Sequence, residues 1–545
     1  MLNSKDILKY TTVIRFALIC FVLGCNSKNS RLEKHGFHEE IVNIFIHPNK
    51  RVRDGQIVQI IVPFPKGRVY HSSQLDLLDK SHNPLEAHYS AFLQWHTLDS
   101  KHHGIRSIKI KFKITKPVLS SKQLKLGIKP RKSENRVKET YDNKLNIESW
   151  KTYSANDFPV SLPMPNIFVT FSKSWLSRLM LRGPQIEISG SSTLFDDAMQ
   201  GYGLTAVNAN SEKPYATEIN LADNEPWLFD RSYTLLGLYV RTGKIEWLRH
   251  AHRSTMAYLE NVEDGYFLLA PNHPDIKYSY GQSLLANFVL TGHVKNLDAI
   301  SSMATVAKEW NPTYSIDRTF FTERHQAYAL SNALAVFEMT GQKEYAERVL
   351  HIVSTIVDST RSQADPTWPS DTCSLHTLGA HEGNDDNTPI CSPWMTAILG
   401  EVMWRVYWSS QNPKILNYFS DIADWLIQFG LYDSPEHGLS PWYLASSVYQ
   451  FKQEKEHGWV HSCDVAGLLG RGVLAKMWLG KNHNLAKHKY NELENTCLRS
   501  LKEDFVVVDK KASYWKMLFP RKFNWVFGTA GDLPWLSQTI SEYKE

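Results

Sequence analysis

The sequence predicts a chain of two parts, a β-rich N-terminal domain of sandwich or barrel type followed by an (α/α) toroid of helical hairpins. Three observations carry this. Between residues 36 and 190 apolar residues come in short runs of period two, and from about residue 225 the period becomes helical. An apolar stretch ending in Thr-Gly, followed by a second amphipathic stretch, returns at Thr242, Thr291 and Thr340, each 49 residues after the last.

The first residues read as a targeting segment. Lys5, Lys9 and Arg15 form a basic start, "FALICFVL" is an apolar core too short to span a bilayer, and "VLGC" resembles a lipobox ending at Cys25. Residues 1–24 are thus expected to be a lipoprotein signal peptide and Cys25 the lipidation site, with 25–35 a linker. That places the chain in a bacterial cell envelope, lipid-anchored at the outer membrane or periplasmic face. Without the signal the formal charge falls from +5 to +3, so the chain is nearly neutral. Its 42% apolar and 12% aromatic content suits large cores, not disorder. Neither a phosphate loop nor a nucleic-acid module is present, so no nucleic-acid partner is expected.

Strand grammar follows from 36 to 190. "QIVQIIVPFP", "SIKIKFKI", "VLSSKQLKLGI" and "NIFVTF" are β-branched or alternating runs between Gly, Pro, Asn and Ser. In "SIKIKFKI" the alternation puts Ile108, Ile110, Phe112 and Ile114 toward a core and Lys109, Lys111 and Lys113 toward solvent. The basic stretch 125–138 reads as a solvated loop. Residues 191–224 connect the domains.

From 225 to 502 the Thr-Gly phrases read as corners of αα-hairpins, with Gly243, Gly292 and Gly341 as left-handed helix stops. "SPWMTAILGEVMWRVYWSS" and "HSCDVAGLLGRGVLAKMWLG", each with the helix after it, extend the series to five hairpins. Each unit buries its apolar side only against its neighbours. An open solenoid is the alternative to closure, and 503–545 is a C-terminal segment.

In a toroid the starts of the inner helices face one cavity, and here those starts are rich in polar residues. "NEPWLFDRSYTLL" brings Asp230 and Arg231, "KYSYGQSLLANF" brings Tyr280 and Gln282, and "FFTERHQAYALSNAL" brings Glu323, Arg324, His325 and Tyr328. Gln282 could equally close a capping box with Ser279. The long aperiodic stretch 368–394 offers His376, His381, Glu382 and Trp394, and "WVHSCD" offers His461 and Asp464. These are expected to line the substrate site. No cofactor is required and no metal-ligand spacing occurs; a divalent cation such as calcium at the 368–394 stretch is the lesser alternative. Cys373 and Cys391 could pair across that stretch, or stay buried thiols.

Three phrases, "VPFPKGRV", "LQWHTLDSKHHGIRSIKIKF" and "WLFDRSYTLLGLYVRTG", resemble the exo-acting rhamnogalacturonan lyase-like proteins. That family joins an N-terminal RIFT-barrel β-domain to an (α/α) toroid. The family commonly has a tight Trp-x-Asp-Gly-Ser phrase, whereas here eight residues separate Trp95 from Gly104. The resemblance implies a polysaccharide lyase that cleaves an acidic, uronate-containing polysaccharide by β-elimination. The residues at hand would then divide the task. Arg231 or Arg324 would meet the carboxylate, His325 would take the proton, and Tyr280 or Tyr328 would protonate the leaving oxygen. Two alternatives stand beside it: a glycoside hydrolase with a carboxylate pair drawn from Asp230, Glu323, Glu382 and Asp464, and a surface lipoprotein that only binds glycans.

Overall fold

The computed structural model describes residues 40–118, 120–130, 140–142, 150–152, 163–185, 193–208, 227–269, 275–308, 322–359, 373, 376–382, 385–446, 451–453, 458–510 and 520–543. Cys25 and residues 1–24, expected to be a signal peptide, lie outside them. So does the Glu382 side chain.

The β-rich part is two antiparallel sheets. One has the order β3 (Leu75–Leu78), β6 (Lys122–Ile128), β1 (Glu40–Pro48), β9 (Ile167–Phe171); the other is β2 (Ile57–Pro63), β5 (Ile105–Lys113), β4 (Ala87–Gln94). A short ribbon pairs β7 (Trp150–Thr152) with β8 (Pro163–Pro165). Among the described residues the two main sheets stay separate and share one apolar core, the sandwich form of the prediction. Ile108, Ile110, Phe112 and Ile114 enter that core as their alternation requires. Lys109 departs from the pattern. Its side chain is only 1% exposed, because Asp142 covers it with an ion pair at 2.5 Å and the Phe92 ring lies below. The basic stretch is in part strand, since Lys125 sits in β6 opposite Asn43.

The helical part is a closed ring. After α1 (Thr193–Asn208), inner and outer helices alternate: α2 (Arg231–Thr242), α3 (Ile245–Leu259), α4 (Gly281–Thr291), α5 (Lys295–Lys308), α6 (Glu323–Thr340), α7 (Lys343–Ser359), α8 (Pro393–Ser410), α9 (Pro413–Trp425), α10 (Ser462–Trp478), α11 (Asn484–Lys510), α12 (Pro520–Thr529) and α13 (Leu533–Glu542). Each even-numbered helix packs on the next, α2 on α4 through to α10 on α12, and α12 packs back on α2. The last inner helix comes from residues 520–529, within the stretch expected to be only a C-terminal segment. Thr234 Oγ1 donates to Asn524 O across that closing seam at 3.1 Å.

The Thr-Gly corners have one geometry. Gly243, Gly292 and Gly341 have φ of 68°, 74° and 70°, and each N–H donates to the carbonyl four residues back at 2.8 Å. The preceding threonines back-bond as well, Thr242 to Leu238 O, Thr291 to Asn287 O and Thr340 to Val336 O. These corners are also where the β-domain docks. Gly292 faces Ile61 and Phe92, and Gly243 faces Lys173. Nearby, Ser107 Oγ donates to Val289 O, and Arg106 pairs with Glu338 at 3.2 Å. A Cβ on Gly341 would collide with the His96 ring. Gly341→Val is therefore expected to cost about 2 kcal/mol or more, through a disfavoured φ and that overlap together. Gly243→Val, with a roomier neighbour, should cost less in the same denaturant titration.

Candidate active site

The inner helices α2, α4, α6, α8 and α12 line an open cavity. Its wall includes Asp230 and Tyr233 at the start of α2, Tyr280 and Gln282 at the start of α4, Tyr328 from α6, Glu401 and Arg405 from α8, and Asn524 from α12.

Asp230 caps α2, accepting from the Tyr233 N–H at 2.9 Å. The residue before it, Phe229, holds φ of 66°, a strained state for a side-chain-bearing residue that fixes how the chain enters the helix. Burial pushes the Asp230 carboxyl up to about 7, outweighing the bonds from Tyr233 and Ser283 and the charge of Arg182, which all favour the anion. A few ångströms along, the Tyr233 hydroxyl donates to Glu401 Oε1 at 3.0 Å. The Arg182 guanidinium lies 4.1 Å from the Tyr233 ring centre on one side, and that of Arg405 lies 5.5 Å away. Arg405 donates to the Gln282 carbonyl, and Gln282 Nε2 reaches Ser331 O at 3.2 Å. One cavity thus holds a carboxyl that is protonated near neutrality and a second carboxylate that a phenol holds in place.

A second group of side chains meets the cavity wall through the contact of Trp525 with Phe229. Trp394 stacks on His461 at 5.0 Å, His461 on Trp525 at 5.2 Å, and Trp525 meets Phe229 at 5.7 Å. This row ends at Phe229, which lines the cavity. The Arg324 guanidinium lies 5.9 Å from the Trp394 ring centre. His461 Nδ1 pairs with Asp464 at 3.1 Å. Glu323, 1% exposed, accepts from Thr396 Oγ1 at 3.2 Å and meets His376 Nδ1 at 3.0 Å. Arg324 Nε, Trp394 Nε1 and Trp525 Nε1 here, and Arg405 Nη1 in the cavity wall, are buried polar atoms with no hydrogen-bond partner. Donors left so in a folded protein call for a ligand or water.

Of the residues expected from sequence, Asp230, Tyr280, Gln282 and Tyr328 line the cavity. Arg324, Glu323, His376, His381, Trp394, His461 and Asp464 gather in the second group. Arg231 lies elsewhere, donating to Ala206 O beside α1. Gln282 closes no capping box, because Tyr280 is the N-cap and makes no side-chain cap bond. His325 is buried, with Nδ1 2.8 Å from Thr322 Oγ1 and Nε2 3.9 Å from Asp275. Burial and the nearby Arg324 hold its pKa well below the usual imidazole range, which makes it a weak proton acceptor. Tyr280 donates its hydroxyl proton to Trp227 O at 2.5 Å. Glu401 and Arg405 were not expected, although a Glu and an Arg four apart on the otherwise apolar helix "PWMTAILGEVMWRVYW" are a legible signal. Among the described residues no group of three or more His, Cys, Asp or Glu side chains is placed to hold a metal ion, and no helix is long and apolar enough to cross a membrane.

Both described cysteine pairs form disulfides, Cys373 with Cys391 and Cys463 with Cys497. The first closes the stretch that carries His376 and His381. Replacing Cys373 and Cys391 together with Ser is expected to lower stability by about 3 kcal/mol, from loop-closure entropy, in a reversible urea titration.

No protein-family model matches the chain, and no curated protein does. Solved structures do match loosely. An unsaturated glucuronyl hydrolase from Streptococcus agalactiae is 11% identical over 66% of this chain and 93% of its own, with a TM-score of 0.39. An unsaturated glucuronyl hydrolase specific for heparin is 11% identical over 63% and 100%, with a TM-score of 0.40. An alpha-1,6-mannanase from Salegentibacter sp. is 12% identical over 62% and 99%, with a TM-score of 0.36. These likenesses are too loose to bear on activity, so the assignment rests on the side-chain geometry.

Proposed function

We propose that the protein is a glycan-processing enzyme, a glycoside hydrolase whose general acid is Asp230. The carrying observation is the Asp230 carboxyl, raised to about 7 by burial in the cavity that the inner helices enclose. A protonated carboxyl at neutral pH can give its proton to a departing glycosidic oxygen. Glu401, held by Tyr233, supplies negative charge against the oxocarbenium-like centre that forms as the bond breaks. The hydrolase is favoured over the lyase because His325, the base that β-elimination was expected to use, is buried and a poor proton acceptor.

The substrate class proposed is an acidic, uronate-bearing polysaccharide or a fragment of one. Arg324 and Arg405 support this, since each brings an unpartnered buried guanidinium nitrogen to the site, and a carboxylate satisfies such donors. Anchoring through Cys25 in the bacterial envelope belongs to the same proposal. The test is to incubate the protein, truncated after Cys25, with neutral and uronate glycans while following reducing ends and near-ultraviolet absorbance. New reducing ends without absorbance support hydrolysis. Absorbance growing with the cleavage of intact chains restores β-elimination, and no cleavage of any glycan leaves the binding lipoprotein.

A further inference from the structure

We propose that Arg182 is a positioning residue of this site: its guanidinium enters from outside the ring, at the closing seam, and fixes the tyrosine that bridges the two carboxyl groups. The inference rests on the hydrolase reading, in which Asp230 is the acid and Glu401 the counter-charge.

Arg182 belongs to the segment between β9 and α1, which is not part of the ring. Trp175 ties that segment to β2, its Nε1 donating to Pro63 O at 3.1 Å. The chain then bends at Met180 and Gly183, with φ of 52° and 75°, and the Arg182 side chain passes between α2 and α12. Nη2 donates to Phe527 O at 3.2 Å and to Gly528 O at 2.8 Å, in the last turn of α12, where a helix leaves such acceptors open. The guanidinium carbon lies 4.1 Å from the Tyr233 ring centre. Two glycines make the room: a Cβ on Gly237, in the middle of α2, would fall on Nη1, and one on Gly531 would crowd both Nη atoms. Glycine is otherwise a poor choice inside a helix.

Tyr233, the residue so held, touches both carboxyl groups. Its N–H donates to Asp230 Oδ1 at 2.9 Å, and its hydroxyl donates to Glu401 Oε1 at 3.0 Å. All three residues line the cavity, as does Gly528. Arg182 is thus two contacts from either carboxyl. Its charge is not cancelled on the way. Helix-end carbonyls and an aromatic face carry only partial negative charge, and among the described residues Arg182 has no carboxylate partner. A buried cation kept without a counter-ion is costly. Here its field reaches Asp230, where it favours the carboxylate against the burial that favours the acid. The carboxyl therefore keeps its proton near neutrality and is still able to give it up.

The test uses the full chain with Arg182→Met, Arg182→Lys, Gly237→Ala and Asp230→Asn. Carbon-13 spectra of protein labelled at the aspartate carboxyls follow the titration of Asp230 without substrate, its signal being the one that Asp230→Asn loses. In Arg182→Met the midpoint should move to higher pH, because the charge favouring the carboxylate is gone. In Arg182→Lys it should stay near that of the wild type. Gly237→Ala, which keeps Arg182 but takes its space, should shift the midpoint as Met does. The other charged or titratable groups around Asp230 are Arg405, Glu401, Tyr258, Tyr280 and Tyr328, and all are kept. Against whichever of polygalacturonate, alginate and hyaluronan the wild type cleaves, Arg182→Met should lower kcat about 10-fold and lose activity at higher pH than the wild type does. Arg182→Lys should recover most of that rate. Equal midpoints in the wild type and Arg182→Met, with only thermal stability lowered, would make Arg182 a cap for α12 and overturn the inference. Full activity in Asp230→Asn would sink the hydrolase reading instead, while the midpoints still decide whether Arg182 governs the carboxyl.

Discussion

Asp230→Asn is expected to lower kcat by a factor of about 10²–10⁴ against any glycan the protein hydrolyses, with KM changed little, the usual contribution of a positioned general acid. Asn keeps the oxygen that caps α2 through Tyr233 but has no proton to give. The wild type should lose activity as pH rises through about 7, where Asp230 ionises. Stability gives an independent check. Because the folded carboxyl holds its proton to a higher pH than the unfolded one, the folded state binds more protons between about pH 4 and 7, and stability falls across that window as pH rises. Asn does not titrate, so Asp230→Asn should be more stable than the wild type at pH 8 and gain little at pH 4. An enzyme slowed at every pH, with no such gain at pH 8, would show that the carboxyl is an ordinary surface acid.

Asp532→Ala is expected to destabilise the protein by about 3–5 kcal/mol, the largest stability effect among these changes. Arg471, 1% exposed in the middle of α10, reaches Asp532 through Nε at 3.2 Å and Nη2 at 2.6 Å, and Nη2 also donates to Thr529 O at 2.9 Å. Those partners lie at the turn between α12 and α13, where the ring closes. Removing the carboxylate leaves a guanidinium buried without its counter-charge, which is worse than losing a contact. Urea titration of Asp532→Ala and of the double variant Arg471→Met with Asp532→Ala separates the two costs. The double variant should recover part of the loss, because it buries no unpaired charge. Equal stability of the single variant and the wild type would mean that the seam is held by packing alone.

The corners and the carboxyl that heads α2 were legible because local chemistry decides both. A left-handed stop favours glycine, and a helix start favours an acceptor such as Asp230, both through contacts within a few residues. Tyr443 was not legible. It sits in "GLSPWYLASS", a phrase with no helical period, and meets His381 only because a disulfide and strand pairs bring His376 and His381 within reach. Arg231 shows the reverse. Its place beside Asp230 suggested a carboxylate partner, but adjacent helix residues point about 100° apart, and its guanidinium turns to α1.

The change of period from two to helical, the 49-residue spacing of the corners and the polar starts of the inner helices are all written locally in the chain. All of these depend on residues close along the chain. Closure of the ring is not written locally, since it depends on α12 meeting α2 across nearly 300 positions, through bonds such as Thr234 to Asn524. Long-range packing also settles which acid becomes the acid. Asp230, Glu323 and Asp464 all begin inner helices, but Glu323 finds His376 and Asp464 finds His461, while burial drives the Asp230 carboxyl toward neutrality. A carboxyl group's proton affinity follows from how much water and charge surround it, and sequence neighbours set neither.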